Sequence, residues 1–397
     1  MKAAAQPVQR PGDARLLAVD GAGRISHHPR SALADLLVPG DLVVANDAAT
    51  LPASLAGRHL ATGAAIEVRL AGRRSLAGDD VACFLAVVFG AGDWRTRTED
   101  RPPPPPLSPG DTLALGPLTA SVVRVVAAPR LVELRFAGSA DTIRAGIARH
   151  GRPIQYAHVA APLALWDVWT AIAAHAVAFE PPSAGFVLDW RLLDQLASRG
   201  VGFATLTHAA GLSSTGDSGL DARLPFDEPY HLPAATVAAV HTARERGDRV
   251  VAIGTTVARA LEHAGAQAGG IRAGPGIATN RLGRSTPLRV VDVLVSGTHE
   301  PGSSHHELLR AFVGAATLDR IDAALESFAY RTHEFGDSVL VERAVAPRCA
   351  YAVPRSNLKT ATLARRLGSV RTTLPARMPN ESRIVRPSFL ARISKSA

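Results

Sequence analysis

The sequence predicts an α/β protein: a layered α/β domain, discontinuous along the chain, that carries a small inserted β-barrel. Three observations predict it. Beyond Gly151, short apolar runs alternate with segments of helical spacing, as stacked strands and helices require. From about residue 54 to 148, strand-like runs follow one another with only turn-rich segments between them. Residues 15–50 carry apolar strands of their own, so the all-β stretch interrupts one α/β domain. The expected division is 1–53 with 149–345 for the α/β domain, 54–148 for the barrel, and 346–397 for a basic extension without a fixed fold.

Taken in order, residues 16–19 and 42–45 are short apolar runs that suit strands, with a helix expected over 31–37. Residues 66–70, 81–89, 112–115, 121–126 and 131–136 read as barrel strands. Ala128-Pro129 marks a turn, and the five prolines 102–106 mark an exposed polyproline loop. The most apolar long window, 160–179, contains Asp167 and His175. It is therefore expected to be a buried helix over 160–178 and not a membrane span. A helix over 191–199 ends at Gly200, and 201–207 is a strand. Pro233 opens a helix with Val237, Val240 and His241 on one face, closed by Gly247. Residues 288–295 suit a strand, and 307–313 and 320–330 suit helices.

Composition bounds the class. The chain has 397 residues, 47% hydrophobic and 20% charged, ordinary values for a globular protein with two domains. Its two cysteines, Cys83 and Cys349, exclude a disulfide framework and a cysteine zinc site. A reducing, cytoplasmic setting is expected. Residues 1–7 lack an apolar run, so no signal peptide is expected. The net charge of +9 is unevenly spread: residues 346–397 hold eleven Lys/Arg and one acid, leaving 33 basic and 34 acidic residues elsewhere. Such an extension either adds salt-sensitive RNA affinity or is merely solvated.

Residues 248–262 are the most informative stretch. The apolar run 249–253 is followed by Gly254-Thr255-Thr256 and then by helical spacing through Arg259 and Glu262. A strand, a glycine-hydroxyl turn and a helix place free N–H groups where an anion or a ribose can bind. The plainer alternative is that a threonine caps the helix.

This stretch resembles the signature of the S-adenosylmethionine:tRNA ribosyltransferase-isomerases of queuosine biosynthesis. Other matches follow in the same order. They are Pro39-Gly40-Asp41 through Asn46-Asp47, Leu51-Pro52-Ala53, Gly57-Arg58, Thr62-Gly63, Glu67-Val68, Tyr330-Arg331 and Phe335-Gly336-Asp337. The resemblance covers roughly residues 15–343 and implies a discontinuous α/β domain with an inserted barrel. It implies transfer and isomerisation of the ribosyl group of S-adenosylmethionine onto 7-aminomethyl-7-deazaguanine in tRNA. S-adenosylmethionine is then the co-substrate and tRNA the partner.

The resemblance and the strand ends together nominate site residues. Asn46 and Asp47 end a strand at the ligand-binding edge of an α/β sheet, Asn46 to hold the ligand and Asp47 to take a proton or face the sulfonium. His208 ends the 201–207 strand before a polar loop and is a candidate base, as are Glu228 and His299. Gly185, in Pro182-Ser183-Ala184-Gly185, joins Gly254, Thr255, Thr256 and Arg259 as co-substrate contacts. His299, His305, His306 and Glu307 lie close in sequence, but the spacing is not His-Glu-x-x-His, so no metal is expected.

The sequence also departs from the family pattern. Val187 stands for a histidine, Ala49 for an arginine, and Ser54 for a second arginine. Two alternatives therefore stay open: a paralogue that binds a nucleoside without catalysis, and a transferase with a non-tRNA acceptor.

Overall fold

A computed structural model describes residues 1–344; the basic extension lies outside the described residues. Among the described residues, nine strands form one mixed sheet. In spatial order they are Gly274–Ala278, Glu228–Leu232, Gly202–His208, Leu42–Asn46, Val250–Ile253, Val293–Gly297, Ser338–Glu342, Arg15–Val19 and Ile25–Pro29. The four central strands, from Gly202–His208 to Val293–Gly297, are mutually parallel. Their carboxyl ends therefore share one edge, which gathers His208, Asn46, Gly254 and Gly297.

Burial explains why these runs are strands. All of Leu42–Asn46 and Val250–Ile253 is buried, as a sheet covered on both faces demands. One face packs Leu17, Val44 and Ala252 under the helices Ala234–Arg246 and Thr255–Ala266. The other packs Val43, Val251 and Ile253 under the helix Trp190–Ser198 and the 3₁₀ turn Arg30–Leu36. Six antiparallel strands between Ser54 and Phe136 close into a barrel around a separate core that includes Leu55, Val68, Phe84 and Phe89. The layered α/β fold with a barrel is as the sequence predicts. The barrel gains one strand that the apolar pattern hides, Ser54–His59, where Gly57 and Arg58 dilute the signal.

Three expected elements differ. Residues 160–178 are not one helix. They hold a single turn, Leu165–Val168, and then a strand, His175–Ala178, that pairs in parallel with Ala48–Thr50. The backbone of Ala174 bonds the Asp47 carbonyl at 2.8 Å, so a distant segment outbids local helix formation. The 288–295 strand starts only at Val293, because the N–H groups of Arg289, Val290 and Val291 are taken by the Glu262 carboxylate. His241 is exposed, and Thr236 and Ala243 complete the buried helix face instead. No helix among the described residues is long and apolar enough to cross a membrane.

Candidate functional site

At the carboxyl edge of the sheet lies a cleft of about 310 Å³. The Gly254 turn forms part of its wall. Gly254 has φ +101°, a conformation open to glycine, and it lets the chain turn from strand into helix without a side-chain cap. Neither threonine caps the helix. Thr255 and Thr256 line the cleft, and the first-turn amides lack intrahelical acceptors.

Behind the turn sits a buried polar cluster. The side chain of Asn46 accepts from the His208 and Ala48 amides at 2.9 and 3.0 Å and donates to the His208 carbonyl at 2.9 Å. It locks the strand ends together and does not line the cleft. The His208 ring is fully buried. Its Nδ1 meets the Thr256 carbonyl and its Nε2 the Glu228 carboxylate, each at 2.8 Å. Both ring nitrogens are thus engaged by buried partners, and His208 itself does not line the cleft.

Glu228 does line the cleft. Its Oε1 accepts from the Gly211 amide at 2.7 Å, and its Oε2 accepts from His208 and Arg259. Gly211 cannot be replaced freely, since an added Cβ would lie 2.9 Å from Glu228 Oε1 and 3.0 Å from the Ala71 carbonyl. Burial pushes the Glu228 carboxyl up, but the bonds and charges of His208 and Arg259 outweigh it and hold the group below the usual carboxylate range. Arg259 is itself committed, donating to the carbonyls of Asn280, Phe226 and Ala278 besides Glu228. It braces the cleft wall.

The remaining expected residues divide. His299 lines the cleft, stacked on His305 with ring centroids 4.5 Å apart. Burial, then the neighbouring histidines, push its pKa well down, so the ring is neutral. His208 and His299 thus stand at the same sheet edge, His299 directly on the cleft and His208 behind Glu228. Asp47 points elsewhere: its carboxylate accepts from Thr205 and Thr207 at 3.0 and 2.6 Å and is absent from the cleft. Gly185 lies in the buried turn Ser183–Val187, and its neighbours Ser183 and Ala184 reach the cleft in its place.

Sequence reasoning missed Glu180, which lines the cleft and is almost fully buried. Tyr156 donates its hydroxyl to one carboxylate oxygen, and the Ser213 amide donates to the other at 3.1 Å. The available signal was a lone acid closing the apolar run 176–179, at a strand's carboxyl end. A second missed group is His158, His333 and Glu334, whose ligand-type atoms lie within 4.8 Å of one another. The first is about 175 residues from the others, so spacing cannot reveal it. The two imidazoles stack with centroids 4.3 Å apart and planes 23° from parallel. His158 bonds Glu334 at 3.0 Å.

The departures from the family pattern also find places. Val187 packs in the core beside Leu188 and Leu192, away from the cleft. Ala49 is buried in the strand pair with His175–Ala178. Ser54 pairs with Arg69 on the adjacent barrel strand, and both bond the same Glu67 oxygen, at 2.7 and 2.8 Å. A guanidinium therefore stands beside position 54, supplied by the neighbouring strand.

A family model described as queuosine biosynthesis protein matches residues 1–341. The S-adenosylmethionine:tRNA ribosyltransferase-isomerase of Pelobacter propionicus is 32% identical over 342 residues, 84% of this chain and 94% of that one. Its counterpart from Geobacter sulfurreducens is 32% identical over 346 residues, covering 85% and 95%. Among solved structures, an S-adenosylmethionine tRNA ribosyltransferase from Thermotoga maritima is similar at 23% identity and a TM-score of 0.45, covering 85% of this chain and 95% of that one. By the span of the family match and the identity of these relatives, the chain belongs to the queuosine biosynthesis protein family.

Proposed function

We propose that this chain transfers and isomerises the ribosyl moiety of S-adenosylmethionine onto 7-aminomethyl-7-deazaguanine in tRNA, giving epoxyqueuosine and releasing adenine and methionine. The observation that carries it is the uncapped Gly254 turn beside an acidic cleft, in a chain about one-third identical to enzymes of that name. Four carboxylates line the cleft, Glu180, Asp221, Glu228 and Glu307, against two guanidiniums, Arg259 and Arg281. An excess of negative charge suits a cationic sulfonium and the ammonium of an aminomethyl base. The turn amides with Thr255 and Thr256 suit the ribose hydroxyls or the carboxylate of the methionine part.

In this reading Glu228 is the cleft's fixed negative charge, held by His208 and Arg259, and Asn46 sets the strand ends that carry it. His299 and His305 present a neutral stacked face for the adenine ring. Asp47 serves the fold. The enzyme works in the cytoplasm, where its tRNA substrate is found. The replaced family histidine at Val187 lies outside the cleft, which speaks against a paralogue that has lost catalysis.

The test is incubation of the full chain with S-adenosylmethionine and tRNA bearing the aminomethyl base, followed by nucleoside mass spectrometry. Epoxyqueuosine with equimolar adenine and methionine is expected. Calorimetric binding of S-adenosylmethionine without product would favour the non-tRNA transferase or the binding paralogue. No binding at millimolar ligand would end both transferase readings.

A further inference from the structure

We propose that Glu180 is the proton acceptor of the cleft, the group that takes a proton from the incoming aminomethyl ammonium. The assignment rests on the functional reading above and extends it to a residue outside the motifs that carry the family resemblance.

The argument is one of elimination among the cleft's carboxylates. Glu228 has both oxygens occupied, with Arg259 as a permanent countercharge. Asp221 accepts from the Thr215 amide and hydroxyl and from Ser214. Glu307 is exposed and paired with Arg310. Glu180 alone is buried, has one neutral donor on each oxygen, and keeps lone pairs free. Among the described residues it has no cationic partner.

Position agrees with the count. The strand His175–Ala178 is paired with Ala48–Thr50 and delivers Glu180 to the same cleft as the Gly254 turn and Glu228. Tyr156 fixes the carboxylate from behind. The Arg69 guanidinium covers its ring at 5.5 Å and keeps that side closed.

The protonation balance suits the task. Burial pushes the Glu180 carboxyl up to about 7, against the Tyr156 and Ser213 bonds and with help from the nearby negative charge of Glu334. The other titratable groups on that side are His158, bonded to Glu334, and His333, stacked on His158. A carboxyl poised near neutrality can both take and return a proton at working pH.

The step balances. One ammonium N–H bond breaks and its proton goes to a Glu180 oxygen. The freed nitrogen pair forms the new bond to ribose carbon as the bond to adenine breaks. That electron pair stays on adenine, which takes the proton back from the neutral carboxyl and leaves Glu180 ionised.

The experiment compares the full wild-type chain with Glu180→Gln. Three readouts are used: turnover on aminomethyl-bearing tRNA, calorimetric binding of S-adenosylmethionine, and infrared titration of the protonated carboxyl stretch. Glu180→Gln should lose roughly 10²–10⁴-fold in turnover, with a far smaller loss of S-adenosylmethionine affinity. The rise of wild-type kcat/KM with pH should have its midpoint near 7 and vanish in the variant. The same midpoint should appear in the wild-type infrared band and be missing from Glu180→Gln. Tyr156→Phe is the second variant: it removes a bond that favours the carboxylate, so the rise should move to higher pH. Wild-type turnover by Glu180→Gln, or a Glu180 carboxyl already ionised at pH 5, overturns the assignment alone. A wild-type chain that makes no epoxyqueuosine overturns the functional reading and this assignment with it.

Discussion

Two carboxylates line one cleft, both buried, and their protons obey opposite rules. Glu228 is 5% exposed and Glu180 is 8% exposed. Burial alone would raise both. Glu228 is instead held low, because Arg259 and His208 bring charge and hydrogen bonds to it. Glu180 meets only a hydroxyl, an amide and the repulsion of Glu334, and rises to about 7. The lesson is that depth does not set the proton affinity of a buried acid; the charge on its partners does. A pair of acids driven apart in this way can divide the work, one as fixed charge and one as proton carrier.

The largest change comes from breaking the compensated pair. Arg259→Met should leave Glu228 a buried charge without its guanidinium and cost about 3–5 kcal/mol, read by urea unfolding at pH 7. Adding Glu228→Gln should recover part of the loss. Full additivity of the two substitutions would show that they do not act as a pair.

For Glu180 the sign reverses. Below pH 4.5, Glu180 is protonated both folded and unfolded. Between 4.5 and about 7 the unfolded chain gives up that proton while the folded chain keeps it, so stability falls as pH rises through this window. The difference is at most about 3 kcal/mol. Glu180→Gln should therefore raise the melting temperature at pH 8 by a few degrees and leave it unchanged at pH 4.5. Equal melting shifts at both pH values would show that Glu180 is ionised in the folded chain across the range.

The smallest expected effect falls on the carboxylate outside the cleft. Asp47→Asn weakens its bonds to Thr205 and Thr207 and should cost about 1 kcal/mol. S-adenosylmethionine affinity by calorimetry should stay at the wild-type value. A large loss of affinity would bring Asp47 back into the site.

What the sequence made legible follows from range. The Gly254 turn is written locally, in an apolar run, a glycine and a resumed helical spacing, and it stands where expected. Strand ends locate the cleft edge, so His208, Glu228 and His299 were within reach. Their roles were not, because a ring nitrogen is free or occupied according to residues that folding brings from elsewhere, Thr256 and Glu228 for His208. Glu180 was hidden for a related reason. Residues 160–178 look like a helix until Ala48–Thr50 pairs with them, and only that pairing turns the acid toward the cleft.

The same architecture imposes an order of events on the nascent chain. Every barrel strand finds its partners between Ser54 and Phe136, so the barrel can close as soon as that stretch is synthesised. The sheet must wait. Leu42 pairs with Gly202 and Val250, and Leu16 pairs with Ser338, so these strands stand unpaired along those edges while the barrel and most of the chain are still being made. Long-range pairing of this kind is slow and exposes apolar edges in the interval. A ribosome stalled before residue 338 should therefore carry a protease-resistant barrel beside a labile α/β portion, and the cleft can form only once its last lining segment, at Leu308, has been made.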